Sequence, residues 1–127
     1  MAEGYRPQFR QTARIREIGR YLETHPGEPV TLPQLSRRFG VPVTTMKRCF
    51  EAVYGMPVSR YLRRVRIRRA AALLRSTDDT ILSVAGQVGY SNGSKFAAAF
   101  KAEMGVNPSE YRRTEEPEPA DYQKAGD

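Results

Sequence analysis

Two short stretches carry the side chains best placed for chemistry. At 43–54 the chain reads VTTMKRCFEAVY. Met46, Cys49, Phe50 and Val53 follow helical apolar spacing, which turns them inward and leaves Thr44, Thr45, Lys47, Arg48 and Glu51 outward. An outward Arg or Lys can donate to guanine O6 and N7, each good contact contributing ~1–3 kcal/mol of discrimination. The same groups can instead grip phosphate, which adds affinity but no sequence information. At 93–104 the chain reads GSKFAAAFKAEM. Here Phe96, Ala99 and Phe100 take the inward places, and Gly93, Ser94, Lys95, Ala97, Ala98 and Lys101 stay outward. Ser94 and Lys95 can reach a base edge or a phosphate. Ala97 and Ala98 can touch a thymine methyl, or can simply hold helix propensity and let the backbone approach. Both stretches offer recognition chemistry, not bond-breaking.

The rest of the chain supplies little else. A single Cys49 excludes an internal disulfide and reads as a small buried hydrophobe. His25 and Cys49 stand too far apart in sequence for a metal cluster of ordinary spacing. No Gly-rich phosphate loop, nucleophile elbow or His-anchored triad is present, so neither enzymatic activity nor a cofactor is expected. No apolar run approaches membrane-spanning length, MAEGYRPQFRQ lacks a signal-peptide core, and the single cysteine fits a reducing cytoplasm, where the protein is expected.

Charge narrows the partner. The 127 residues carry a net +7. Residues 31–113 hold fifteen Lys and Arg against five acids, whereas 114–127 hold one Lys against five acids. An anionic partner is implied for the middle, with nucleic acid first and an anionic membrane surface second. The end, TEEPEPADYQKAGD, reads as a solvated acidic tail.

These residues need helices to position them, and the apolar period is helical almost throughout. A first helix is expected near 10–24, where Ile15, Ile18, Tyr21 and Leu22 share a face. Thr31 with Gln34 forms a capping-box pattern opening a second helix, which Gly40 closes. Thr31, Leu32, Leu35, Ser36, Phe39 and Gly40 recur 49 residues on as Thr80, Ile81, Val84, Ala85, Val88 and Gly89. Met46, Phe50, Gly55, Ser59 and Tyr61 recur 50 residues on as Phe96, Phe100, Gly105, Ser109 and Tyr111. Helical period alone explains repeated Leu and Phe, but not Gly, Ser and Tyr recurring in step, so the chain is an internal duplication. Each copy is helix, glycine-containing turn, helix, which is the helix-turn-helix layout.

Between the copies, VSRYLRRVRIRRAAALLR at 58–75 has two apolar faces. Tyr61, Leu62, Val65, Ala72 and Leu73 fall on one side, Ile67, Ala70 and Leu74 on another, and Arg60, Arg64, Arg68 and Arg75 on a polar stripe. Such a helix suits a rigid linker clamped between two bodies. Arg66 and Arg69 lean toward the apolar sides, where Glu or backbone carbonyls, or Asp78 and Asp79, are candidate partners. The fold expected is all-α, with about seven helices: an arm at 1–9, a first subdomain at 10–57, the linker helix at 58–76, a second subdomain at 77–113, and the acidic tail at 114–127.

Over roughly 10–113 the chain resembles the DNA-binding domain of the AraC/XylS family of bacterial transcription regulators. YLRRVRIRRAAALL is similar to that family's YLRxxRLxxAxxLL. VAGQVGYSNGSKFAAAFKAEMGVNPSEYR resembles its signature of a GF or GY turn, two Phe with a following Lys or Arg, and G-x-x-P-x-x-Y-R. The resemblance implies second helices entering successive major-groove faces on one side of the duplex, and with that a location at the bacterial nucleoid. It matches Thr44, Lys47 and Arg48 to base-contacting positions, and departs from many members in having Ala98 where they carry Arg. Most members add an N-terminal sensing and dimerising domain. The chain is thus expected to be either a short stand-alone, monomeric member or part of a longer protein.

Phosphate anchors are expected at the helix N-termini at Thr31, Thr80 and Asn107-Pro108. Arg37, Arg38, Arg60, Arg63, Arg64, Arg68, Lys101, Arg112 and Arg113 are expected to supplement them. Three functions fit these residues: a sequence-specific transcription regulator on double-stranded promoter DNA, a nonspecific architectural binder, or a helical interaction module contacting RNA polymerase.

Overall fold

The computed structural model describes residues 8–114, which form seven helices and, among the described residues, no strand. They are α1 (Phe9–Thr24), α2 (Leu32–Phe39), α3 (Val43–Tyr54), α4 (Val58–Ser76), α5 (Ile81–Gln87), α6 (Gly93–Met104) and α7 (Pro108–Arg113). The expected arm, up to residue 7, and the acidic tail from residue 115 lie outside the described residues.

Helix ends form where side chains satisfy the bare amides. Thr31 Oγ1 accepts from the Gln34 N–H at 3.2 Å, and the Thr31 N–H donates to Gln34 Oε1 at 3.0 Å, closing the capping box. Thr80 Oγ1 accepts from the Ser83 N–H at 3.0 Å in the second copy. Gly40 ends α2 at φ 67°, and a Cβ there would meet nothing within 4 Å. Gly40→Ala should therefore cost about 1–2 kcal/mol through backbone strain alone, read as a lowered urea midpoint with an unchanged slope.

Two apolar cores form, one per copy. Ile15, Ile18, Leu22, Leu35, Met46, Cys49 and Phe50 make the first, closed by Val58. Ile67, Ala70, Leu74, Val84, Val88, Phe96 and Phe100 make the second. The duplication extends to ring geometry. Phe50 meets Tyr61 with centroids 5.4 Å apart at 75°, and Phe100 meets Tyr111 at 5.4 Å and 71°. Residues 51–60 and 101–110 also match in burial position by position.

The linker helix differs from the expectation in one respect. Its apolar residues divide along its length more than around its girth. Val58, Tyr61 and Leu62 pack on the first core, and Ile67, Ala70, Ala71, Leu73 and Leu74 on the second. Leu73 thus joins the second core, and Ala72, expected on the first apolar side, is exposed. The cause is span: nineteen residues reach about 28 Å at 1.5 Å each, enough to seat two small cores end to end.

This arrangement gives α4 two structural duties. Its buried residues Ile67, Ala70, Ala71 and Leu74 repeat the spacing of Ile15, Ile18, Gly19 and Leu22 on α1. Its first turn, with buried Val58 before Tyr61, repeats buried Pro108 before Tyr111 on α7. So α4 closes the first core as α7 closes the second, and opens the second core as α1 opens the first.

Candidate nucleic-acid interface

In α3, Met46, Cys49 and Phe50 are buried while Thr44, Lys47, Arg48 and Glu51 are exposed; Thr45 is half-buried. In α6, Phe96 and Phe100 are buried and Ser94, Lys95, Ala98 and Lys101 are exposed. Ala97, expected outward, is half-buried, and Ala99, expected in the core, is half-buried against it. With no atom beyond Cβ, neither methyl rises clear of the surrounding surface. Two equivalent helices thus present unequal faces: α3 offers hydroxyls, an ammonium and a guanidinium, while α6 offers Ser94, Lys95, Lys101 and a bare Ala98.

The amino ends of the two helices differ as well, which the sequence reading did not single out. Asn92 Oδ1 caps α6 by accepting from the Lys95 N–H at 2.9 Å. Pro42 stands in the same place before α3 and makes no side-chain cap. The first amides of α3, beside exposed Thr44, therefore keep their pull on anions. A Pro where Ser, Thr, Asp or Asn would serve was the available signal.

The expected phosphate anchors separate into two groups. Arg37, Arg60, Arg63, Arg68 and Lys101 are exposed, as are Thr31 and Thr80 at their helix starts. The Thr31 side chain and N–H are both engaged in the capping box, which leaves α2 few amides for an anion. Arg38 lies with its guanidinium 4.5 Å from the Tyr21 ring centroid. Arg64 pairs with Glu103 across α4 and α6 at 3.2 Å.

Arg112, expected among the phosphate anchors, is engaged within the fold. Its guanidinium donates to Leu74 O at 2.9 Å and Thr77 O at 3.2 Å, satisfying the carbonyl end of α4. Arg75 answers from α4, stacking over the Tyr111 ring at 3.6 Å and donating to Tyr111 O. The helix-end carbonyls claim Arg112 because a buried acceptor without a donor is costly.

Arg66 likewise turns inward. It donates from Nε to Pro26 O at 2.7 Å and from Nη2 to Glu28 O at 2.9 Å, choosing carbonyls over Asp78 or Asp79. Asp79 instead accepts from Gln87 Nε2 at 2.9 Å. Burial pulls the Arg66 guanidinium below the ordinary arginine range.

Among the described residues no group of His, Cys, Asp and Glu could hold a metal ion, and no helix is long and apolar enough to cross a membrane.

Comparison with known proteins agrees with this geometry. Residues 35–114 match the family model described as a helix-turn-helix domain. The transcriptional activator RhaS of Escherichia fergusonii is 32% identical over 101 residues, covering 80% of this chain and 36% of that protein. The chain thus spans about a third of that relative's length. The C-terminal domain of AraT, a response regulator from Geobacillus stearothermophilus, superposes with a TM-score of 0.77 at 31% identity, covering 84% of this chain and 88% of that one. The DNA-binding domain of the transcriptional factor AdpA, solved with a target DNA, superposes with a TM-score of 0.74 at 23% identity, covering 88% and 95%. By helix order, paired turns and sequence, the chain belongs to the AraC/XylS family of helix-turn-helix transcription regulators.

Proposed function

We propose that this chain binds double-stranded DNA sequence-specifically as the reading part of a bacterial transcription regulator, with α3 and α6 in successive major-groove segments. One observation carries this reading: two equivalent exposed helices, 50 residues apart, on the segment that holds fifteen basic and five acidic residues. Other helix-turn-helix proteins assemble two reading helices by dimerising. Here one chain holds both, so it acts as a monomer. The relatives named above are transcription regulators, and a promoter-bound chain of this kind acts in the cytoplasm at the nucleoid, with RNA polymerase as its next partner.

Within this reading α3 supplies most sequence discrimination. Arg48 and Lys47 reach guanine edges, with Thr44 and Thr45 beside them, and the uncapped amides of α3 take a phosphate. The second helix, α6, docks and positions through Ser94, Lys95 and Lys101, with Ala97 and Ala98 allowing close approach and a methyl contact. Arg37, Arg38, Arg60, Arg63, Arg68 and Thr80 serve phosphates.

The test is competition. A duplex selected from a random pool should survive a large excess of random DNA, and equal competition by every duplex would refute sequence reading. Arg48→Ala should then relax base preference at one half-site by about 1–3 kcal/mol. Ala98→Ser should shift affinity by less than about 0.5 kcal/mol, as a surface change away from any bond. Fluorescence anisotropy on single-base duplex variants separates the two, and equal losses would remove α3 from its leading role.

A further inference from the structure

We infer that Arg66 is a positioning residue that locks the two helix-turn-helix units at one angle and thereby sets the half-site spacing the chain accepts. The spacing half of this inference rests on the DNA-binding reading above; the locking half does not.

The two units meet away from their cores. Arg66 projects from α4, the helix common to both, and binds Pro26 O and Glu28 O in the loop between α1 and α2. On its other side lies Gly89, at φ 94°, where a Cβ would come within 3.0 Å of the guanidinium carbon. In the same joint a Cβ on Gly27 would sit 2.4 Å from Gln87 O. A loop of the first unit therefore rests directly on the turn before the second recognition helix. Two glycines make room for the approach, and one guanidinium is wedged into it.

Geometry explains why this side chain suits the task. Two carbonyls in one loop need donors held at a fixed separation, and a planar guanidinium provides donors in a rigid fork. A lysine ammonium carries three donors on one freely rotating nitrogen, so it lacks the two separate, fixed nitrogens that here meet the two carbonyls. Without the wedge, only α4 and the unbonded packing of the loop at Gly27 on Gln87 would join the units, and long helices bend. With it, the units are tied at two points, along α4 and through the 26–28 loop, so rotation of one against the other must break hydrogen bonds.

DNA makes that angle matter. One added base pair between half-sites turns the second by about a tenth of a helical turn and moves it about 3.4 Å. A locked pair cannot follow; a hinged pair can.

The experiment has two arms. In the first, nitroxide labels on Ala52→Cys and Ala102→Cys, with Cys49→Ala, report the distance between α3 and α6 by pulsed electron resonance without DNA. The original joint should give one narrow distribution, and Arg66→Gln and Gly27→Ala should each broaden or split it. Gly27→Ala acts on the joint alone, so it decides the matter if Arg66→Gln does not fold. In the second arm, the selected duplex and versions with one base pair inserted or removed are titrated by anisotropy. The unaltered protein should lose about 100-fold for either change of spacing, and the joint variants less than about tenfold. Arg66→Lys should follow Arg66→Gln, since the fork and not the charge does the locking. Folded variants that keep both the narrow distribution and the steep spacing profile would overturn the inference. If the unaltered protein selects no duplex, the DNA-reading proposal fails, while the distance arm still decides whether the joint locks.

Discussion

Raising the salt from about 50 to about 200 mM should weaken binding to the selected duplex about a thousandfold. Each neutralised phosphate contributes about −0.9 to the slope of log K against log salt, so six contacts give about −5. The exposed cations Arg37, Arg60, Arg63, Arg68, Lys95 and Lys101 supply a set of that size. The structure lowers the ceiling that the sequence suggested. Arg64 is paired with Glu103, and Arg112 is occupied by the carbonyl end of α4. The slope should therefore respond unequally to single changes. Arg68→Ala should make it shallower by about 0.9, with stability little altered. Arg112→Ala should leave the slope alone and lower the melting temperature, because Leu74 O and Thr77 O lose their donor. Titrations at five salt concentrations, with thermal melts beside them, distinguish these outcomes. A slope near zero would mean that DNA is not the partner of the basic segment.

Phe100→Ala should destabilise the second unit by about 3–5 kcal/mol. Phe100 is fully buried, tilted against Phe96 at 5.8 Å and edge-on to Tyr111 at 5.4 Å. The neighbouring rings are held by other contacts, Phe96 against Tyr90 at 5.5 Å and Tyr111 under the Arg75 guanidinium at 3.6 Å, so a cavity should persist. A domain of this size has only ~5–15 kcal/mol in total, so the loss is a large share. The separation of the cores directs where it is felt. Amide exchange should speed up through α5, α6 and α7 while α1, α2 and α3 keep their protection, and DNA affinity should fall with the loss of the second helix. Uniform acceleration through all seven helices would instead show that the two cores unfold as one.

Helix existence, caps and duplication were legible because they are local. Thr31 with Gln34, Gly40, and the recurrence of Phe50 and Tyr61 as Phe100 and Tyr111 each depend on neighbours within a turn or on a matching partner in the other copy. The outward placement of Lys47, Arg48, Ser94 and Lys95 followed from the same period. The arginines were not legible in this way. Arg66, Arg75 and Arg112 find acceptors 35 to 40 residues distant, at carbonyls that any sequence would supply. Side-chain type says that a guanidinium needs acceptors, but only the folded chain shows where the bare carbonyls are. The end-to-end division of α4 was hidden for a related reason. A helical wheel discards position along the axis, and that coordinate separates Val58 and Leu62 from Ile67 and Leu74.

The double duty of α4 has a consequence for modularity. The repeats overlap instead of standing in tandem, so any scission between them either cuts α4 or hands the whole of it to one side, although both cores require it. A fragment ending at residue 57 would lose the turn with Val58 and Tyr61 that seals its core. A fragment beginning at 58 would keep every element of the second core, from Ile67 to Tyr111. The two halves are therefore unequal in autonomy, and in an overlapping register α7 is the place where a lengthened helix could open a third repeat.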